Sequence, residues 1–203
     1  MKGKGKIVLL LLSLTITIGF MNSTYSRYVA GTTGNVEADF AKWQLLVNNN
    51  DITDNNTNSI SFTPVIEQSE HVRDNVIAPS SKGYFDIEID PTNVDVSFKY
   101  KLSLQIENEE VPDLLMSKYA VLPFDYEEED PLTFINIMDN EIENSLYMNN
   151  TIENFKYDKF TIRIYFEWFD NEETDHTEIG YLAATEGYEL DISADITFEQ
   201  IFN

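Results

Sequence analysis

The feature that most constrains the fold is a strict alternation of apolar and polar residues from Val94 to Glu107. Apolar side chains occupy every second position of this segment, at Val94, Val96, Phe98, Tyr100, Leu102, Leu104 and Ile106. Successive side chains of a strand point to opposite faces, so this period of two is the signature of a half-buried β-strand. One face would therefore pack on a core while the other meets solvent.

Four further segments suggest that strands dominate the chain. The same alternation recurs in residues 160–168, 190–198, 85–89 and 43–47. Asp90 to Asn93 is a turn sequence, and it predicts a hairpin that leads from residues 85–89 into the long strand.

Helical patterns are weaker. Val111–Tyr119 predicts a short helix with Pro112 in its first turn, and Asn136–Met148 carries Ile142 and Leu146 at helical spacing. We therefore expect an all-β fold: a single antiparallel β-sandwich, jelly-roll-like, with one or two short helices in connections.

The start of the chain resembles an export signal. Lysines within residues 1–6 precede the apolar run Ile7–Phe20, and small polar residues follow up to Ser26. This order predicts a cleavable secretory signal peptide with its cut between Ser26 and Arg27. A cut after Ala30 is the alternative, although it places bulky Tyr28 three residues before the scissile bond.

The predicted organisation has three parts: a signal peptide over 1–26, a mature N-terminal segment over 27–38, and a β-sandwich domain over 39–203. An uncleaved membrane anchor is the alternative to the signal peptide. The apolar run is shorter than the roughly 20 residues that span a bilayer, so we expect no stable membrane span after processing. The expected location is extracellular, at the cell surface or in a surface matrix.

Charge and cysteine content narrow the function classes. The chain has 36 acidic and 13 basic residues, with a formal net charge of −23, and it has no cysteine. Such a surface disfavours nucleic acid and anionic lipid as partners. Without cysteine, stability comes from packing, and thiol catalysis, zinc–thiolate sites and lipid attachment through cysteine are excluded.

Residues for catalysis are scarce. His71 and His176 are the only histidines. Each lies in a polar, loop-like segment, where we expect an ordinary surface role. Neither belongs to a zinc-protease or serine-triad motif, and no phosphate-binding glycine loop occurs. Because the chain is so rich in acids, some close carboxylate pair is inevitable and indicates nothing. We expect a protein without enzymatic activity.

The acidic segment from Asp170 to Glu178 is a candidate calcium site. Its candidate ligands are Asp170, Asp175 and Glu178, because hard cations prefer converging carboxylate oxygens. The segment does not match an EF-hand loop, and a solvated hairpin loop is the alternative interpretation. We expect no other cofactor.

Three segments near the start carry a family resemblance. They are Thr24-Tyr25-Ser26-Arg27-Tyr28, Gly31-Thr32-Thr33-Gly34 and Ala41-Lys42-Trp43-Gln44-Leu45-Leu46-Val47. Together they resemble the TasA/CalY (camelysin-like) family of secreted Gram-positive proteins, which form biofilm-matrix fibres and are processed by a dedicated signal peptidase. The resemblance implies a jelly-roll domain, a signal peptidase as partner during export, and self-association into fibres.

The resemblance also implies how subunits assemble. The mature N-terminal segment would insert as a strand into the next subunit, which on this chain means Arg27–Ala38 with Tyr28, Val29 and Ala30 as anchors. Gly31 and Gly34 depart from a good strand-forming sequence. Free termini, or pairing of this segment within its own domain, are the alternatives.

The sequence therefore predicts a secreted structural subunit of an extracellular fibre or biofilm matrix. The alternative function is a monomeric extracellular binding module for cations or cell-envelope glycans, using Trp168, Phe169 and the acidic loop after them.

Overall fold

The computed structural model describes residues 40–53, 62–107, 111, 113–170, 175–187 and 189–202. The unit that begins at Ala41 contains the following elements in chain order: β1 (Trp43–Val47), β2 (Asn50–Asp51), β3 (Val65–Ile66), β4 (Lys82–Val94), β5 (Phe98–Ile106), β6 (Leu114–Pro123), β7 (Ile135–Asn136), β8 (Glu141–Leu146), β9 (Phe160–Trp168), α1 (Thr177–Glu186) and β10 (Ile192–Gln200). All the pairings between these strands are antiparallel. The predicted all-β antiparallel class is confirmed.

The strands form two sheets of unequal size. The larger sheet has seven strands in the order β2-β1-β4-β9-β6-β7, with β3 also paired to β4. The smaller sheet has three strands in the order β10-β5-β8. Strands β1 and β3 share one edge of β4, because β1 pairs with its Ile89–Val94 end and β3 pairs with Gly83 and Tyr84.

The two sheets pack face to face around one core. The ring of Trp43 in the larger sheet lies 6.1 Å from that of Phe98 in the smaller sheet, and Phe160 lies 5.8 Å from Tyr100. Every second residue of β9 is buried, as the alternation predicted: Phe160, Ile162, Ile164, Phe166 and Trp168. The β-sandwich prediction is therefore confirmed, while the jelly-roll connectivity stays a prediction.

The predicted hairpin at Asp90–Asn93 is wrong. Strand β4 continues through these residues to Val94, and it lies in the larger sheet while β5 lies in the smaller one. The Asp90 carboxylate accepts hydrogen bonds from the Thr92 amide at 3.0 Å and the Thr92 hydroxyl at 2.6 Å. These two bonds form a local turn that satisfies the Thr92 amide, next to Pro91. Because β1 pairs with this part of β4, the chain stays in the larger sheet up to Val94. It crosses to the smaller sheet at residues 95–97.

Both predicted helices are strands. Leu114 and Met116 of β6 are buried while Leu115 between them is exposed, and pairing with β9 along β6 stabilises the extended form. The second segment forms β7 and β8 around Asp139 and Asn140, whose φ values are 54° and 57°. Consecutive residues in the left-handed region end a helix but suit a tight hairpin turn.

The helix that does form, α1, lies within and beyond the acidic segment. Its Ile179 is buried, and Gly187 ends it in the left-handed conformation with φ of 70°. Glycine is favoured there because it has no Cβ to clash with the preceding turn. The described ranges thus contain one short helix, but at neither predicted position.

Candidate functional site

Strand β10 forms an open edge of the smaller sheet. It pairs with β5 from Ile192 to Gln200, and no other strand of the described residues pairs with it. The larger sheet ends instead in β2 and β7, which have two residues each. Short edge strands discourage pairing with other chains, whereas a long one offers a row of free backbone groups.

The backbone groups that face this edge can be assigned. The Asp191 carbonyl accepts from the Glu107 amide and the Ile201 amide donates to the Ser97 carbonyl, each at 2.9 Å. Because backbone direction alternates along a strand, odd-numbered residues of β10 bond to β5 and even-numbered residues face outward. The outward set is Ile192, Ala194, Ile196, Phe198 and Gln200.

The apolar side of β10 is incompletely covered. Ile192, Ala194, Ile196 and Phe198 contact the core but are only partly buried. In the neighbouring strand β5, Phe98, Tyr100 and Leu102 are at most 1% exposed. The core therefore thins at the β10 edge, where a further strand would cover apolar surface.

The solvent side of the smaller sheet is a network of charges. Lys99 of β5 contacts Glu199 of β10 at 2.9 Å, and Lys101 contacts Glu141 of β8 at 2.6 Å. The hydrogen bond to Glu199 raises the pKa of Lys99. Asp195 is exposed on the same face of β10. Charges on an edge strand reduce indiscriminate pairing, so the edge favours a partner that complements them.

The candidate cation ligands Asp170, Asp175 and Glu178 are all exposed. Asp175 accepts a hydrogen bond from the Thr177 amide at 2.9 Å, at the start of α1. Hydrogen bonds from the Thr177 side chain and backbone lower the pKa of Asp175. Within the described ranges no three His, Cys, Asp or Glu side chains converge as a metal site requires. Calcium binding at this segment stays a prediction.

The expected surface role of His176 is wrong. Its side chain is 11% exposed and its Nε2 lies 3.9 Å from Oδ2 of Asp113. Its ring stands perpendicular to that of Trp168, with centroids 5.3 Å apart. The cause is α1, which begins at the next residue. His71, in contrast, is exposed.

The glycan interpretation loses one of its aromatic residues. Trp168 is 5% exposed, so its ring is not available as a stacking surface for a sugar, while Phe169 is 42% exposed. Trp168 is the last inward residue of β9, and its place in the alternating segment 160–168 already indicated this burial, which conflicts with a role in glycan stacking.

The predicted export and assembly residues lie outside the described part of the chain. These residues are Ser26 and Arg27 at the cleavage site and Tyr28, Val29 and Ala30 in the donor segment. No helix among the described residues is long and apolar enough to cross a membrane.

The open edge and the His176 cluster were both missed from sequence. The alternation predicted β10 itself, and its outward Asp195 and Glu199 were the signal for an edge position. Nothing in the sequence links Asp113 with His176, because strand pairing and helix packing bring them together.

Comparisons with known proteins add no assignment. No family model matches this chain. No curated protein matches it either.

Proposed function

We propose that the protein is a secreted structural subunit that assembles into an extracellular fibre or surface matrix by strand donation. Arg27–Ala38 of one copy would pair with the open edge of β10 in the next copy. The observation that carries the proposal is this edge: a nine-residue strand with one side unpaired by any described strand and a half-covered apolar face. Strand addition would satisfy its backbone groups and bury that face.

The chemistry of the donor segment suits the edge. With Tyr28 and Ala30 directed inward, they would cover the exposed parts of the β10 apolar face. Arg27 would then lie on the outer face, where Asp195 and Glu199 supply the opposite charge. Opposite charges on neighbouring strands contribute roughly 0.2–1 kcal/mol, while like charges are destabilising.

The overall charge predicts when assembly starts. A chain with a net charge of −23 repels its own copies at low ionic strength. Salt and divalent cations screen this repulsion between exposed charges, so both should shorten the lag before filaments form. The acidic surface would thus keep subunits soluble until they reach their destination.

A proline substitution tests the edge directly. Ala194→Pro removes an N–H that faces outward, so pairing with β5 is kept and the domain should stay folded. Electron microscopy should show no filaments of this variant. The matched control, Ala194→Val, keeps the N–H and should form filaments like the wild type. Filaments of Ala194→Pro with wild-type frequency and morphology would refute the proposal.

A mixing experiment tests the donor. A variant without residues 27–38 keeps the acceptor edge, whereas Ala194→Pro keeps the donor, so each alone should remain monomeric. Mixed in equal amounts, they should give a one-to-one complex in mass photometry and no filaments. Absence of that complex, with both variants folded, would show that these two elements do not bind one another.

A further inference from the structure

The sequence of β10 is complementary to itself about its central residue, Ile196. The even-numbered residues of β10 direct their backbone groups outward, so an antiparallel second copy of β10 pairs even-numbered residues with even-numbered ones. In a twofold arrangement centred on Ile196, Ile192 of one copy lies opposite Gln200 of the other. All nine residues of the strand then find a partner, and no other register pairs more of them.

On the solvent face, this register places each carboxylate of β10 opposite a hydroxyl. Asp195 lies opposite Thr197 of the second copy, and Glu199 lies opposite Ser193. The Thr197 hydroxyl is 3.5 Å from its present acceptor, a backbone carbonyl, and can turn to donate to the Asp195 carboxylate. Ser193 already donates to a carboxylate of its own subunit at 2.6 Å, while Glu199 keeps its ion pair with Lys99 at 2.9 Å. The inner pair therefore gains a hydrogen bond, and the outer pair adds no like charge directly opposite.

The two neighbouring registers bring like charges together. A shift in one direction places Asp195 opposite Asp195 of the second copy. A shift in the other direction places Asp195 opposite Glu199. Like charges directly opposite each other destabilise a strand pair. The carboxylates that discourage other chains from pairing with this edge therefore select one register for its own copy.

On the apolar face, the same register places large side chains against small ones. Ala194 lies opposite Phe198 of the second copy, and Ile196 meets its own counterpart at the axis. All three side chains contact the core of their own subunit but are only partly buried. Pairing would cover their exposed parts and join two three-stranded sheets into one continuous sheet.

We propose that β10 pairs with β10 of a second copy in this register, which makes the free protein a weak homodimer. The two Asp195 carboxylates lie diagonally across the axis and repel one another, and one strand pair buries less than the roughly 1,200–2,000 Å² of a stable complex. The dimer should therefore form at micromolar concentrations and dissociate at the nanomolar concentrations of mass photometry. It occupies the edge that a donor segment would take, so a donor must displace the second copy. The dimer needs β10 alone and does not rest on fibre assembly.

Sedimentation velocity of the protein without residues 1–26 measures the dimer, and charges at position 197 test its register. Thr197→Lys places a cation opposite Asp195 twice about the axis, so Kd should fall by roughly 2- to 30-fold. Thr197→Asp places like charges there and should abolish the dimer. Gln68→Lys and Gln68→Asp make the same changes in net charge at an exposed position after β3 and should leave Kd within about twofold.

Cysteine substitutions report the register directly, because the chain has no cysteine of its own. Two residues paired at the axis have Cα atoms about 5.5 Å apart, which suits a disulfide. Ile196→Cys should therefore cross-link the dimer under mild oxidation. Thr197→Cys should not, because position 197 meets its own copy only in a shifted register. The reverse pattern, in variants with wild-type circular dichroism, would overturn the proposal.

The variant without residues 27–38 separates this dimer from fibre assembly. It should dimerise like the intact protein although it lacks the donor segment and forms no filaments. A wild-type protein that stays monomeric at high micromolar concentration would overturn the proposal, whether or not filaments form later. Equal effects of Thr197→Lys and Thr197→Asp on Kd would also overturn it.

Discussion

A methyl group added at Gly83 should destabilise the sandwich. Gly83 of β4 lies opposite Phe166 of β9 and Ile66 of β3. A Cβ there would lie 2.5 Å from Cζ of Phe166 and 2.6 Å from the carbonyl oxygen of Val65. Phe166 is 1% exposed and cannot swing into solvent. Either its ring leaves its preferred rotamer, or β3 separates from β4.

The magnitude follows from opposing effects. Overpacking a core typically destabilises a protein by about 1–3 kcal/mol. Replacing glycine by alanine also lowers the conformational entropy of the unfolded chain, which stabilises the folded state by roughly 0.4–1 kcal/mol. Gly83→Ala should therefore lower the free energy of unfolding by about 1–2 kcal/mol. For a domain of this size each kcal/mol shifts Tm by about 2–4 °C. Urea denaturation should show a lower midpoint with an unchanged slope.

Gly180→Ala is a control for which the opposite change in stability is expected. It lies within α1, and a Cβ there meets nothing within 4 Å. Gly180→Ala should stabilise the protein by roughly 0.5–1 kcal/mol, because glycine is a poor helix former. Gly83→Ala with Phe166→Leu should recover part of the loss if the ring is the obstacle. A neutral or stabilising Gly83→Ala would refute the steric reasoning.

Two further predictions concern charged residues of the larger sheet that are buried or partly buried. Arg163 donates two hydrogen bonds of 2.8 Å to Asp86, and a lysine at this position cannot keep both. Because Asp86 is partly exposed and solvent screens the pair, Arg163→Lys should lower the free energy of unfolding by about 1 kcal/mol in urea denaturation. An unchanged free energy of unfolding would contradict this. Burial raises the pKa of Asp90, but hydrogen bonds from Thr92 and Lys159 outweigh it and leave the pKa below its ordinary value of 3.8. Its carboxylate therefore stabilises the fold above pH 3.8, and that contribution is lost as pH falls through the lowered pKa. The Tm difference between wild type and Asp90→Asn should shrink on acidification, and a pH-independent difference would argue against the assignment.

The sequence predicted the strictly alternating strands, because alternation reports directly on which face is buried. Residues 160–168 form β9 as expected, and residues 190–198 correspond closely to β10. Asp90–Asn93 shows the limit of this approach. A turn sequence indicates only the local preference of the backbone. It does not show that β1 pairs with β4 through these residues and keeps them extended.

The helix errors have separate physical reasons. Short apolar runs such as Val111–Tyr119 fit both the helical period and the strand period, and only the pairing with β9 decides that this segment is a strand. In residues 136–148 the pair Asp139-Asn140 was a readable turn signal, since both residue types tolerate positive φ. The helix α1 was not predicted because its first residues belong to the acidic segment that was interpreted as a loop. Gly187 after its last residue is nevertheless a typical helix-ending signal.

The candidate site was predictable only in part. Sequence patterning shows that β10 has one apolar face, but the number of its neighbours depends on the whole sheet order. The cluster of Asp113 and His176 depends on contacts between residues more than 60 positions apart, which no local pattern records.

The pairing of β10 with β5 has a consequence for the order of folding. Thr197 and Lys101 are 96 residues apart, so the smaller sheet cannot be completed until the ribosome has made almost all of the domain. Non-local pairing of this kind slows folding. Under the export proposed above, this delay would keep the chain unfolded during its passage through the membrane, and the β10 edge would form only after that passage.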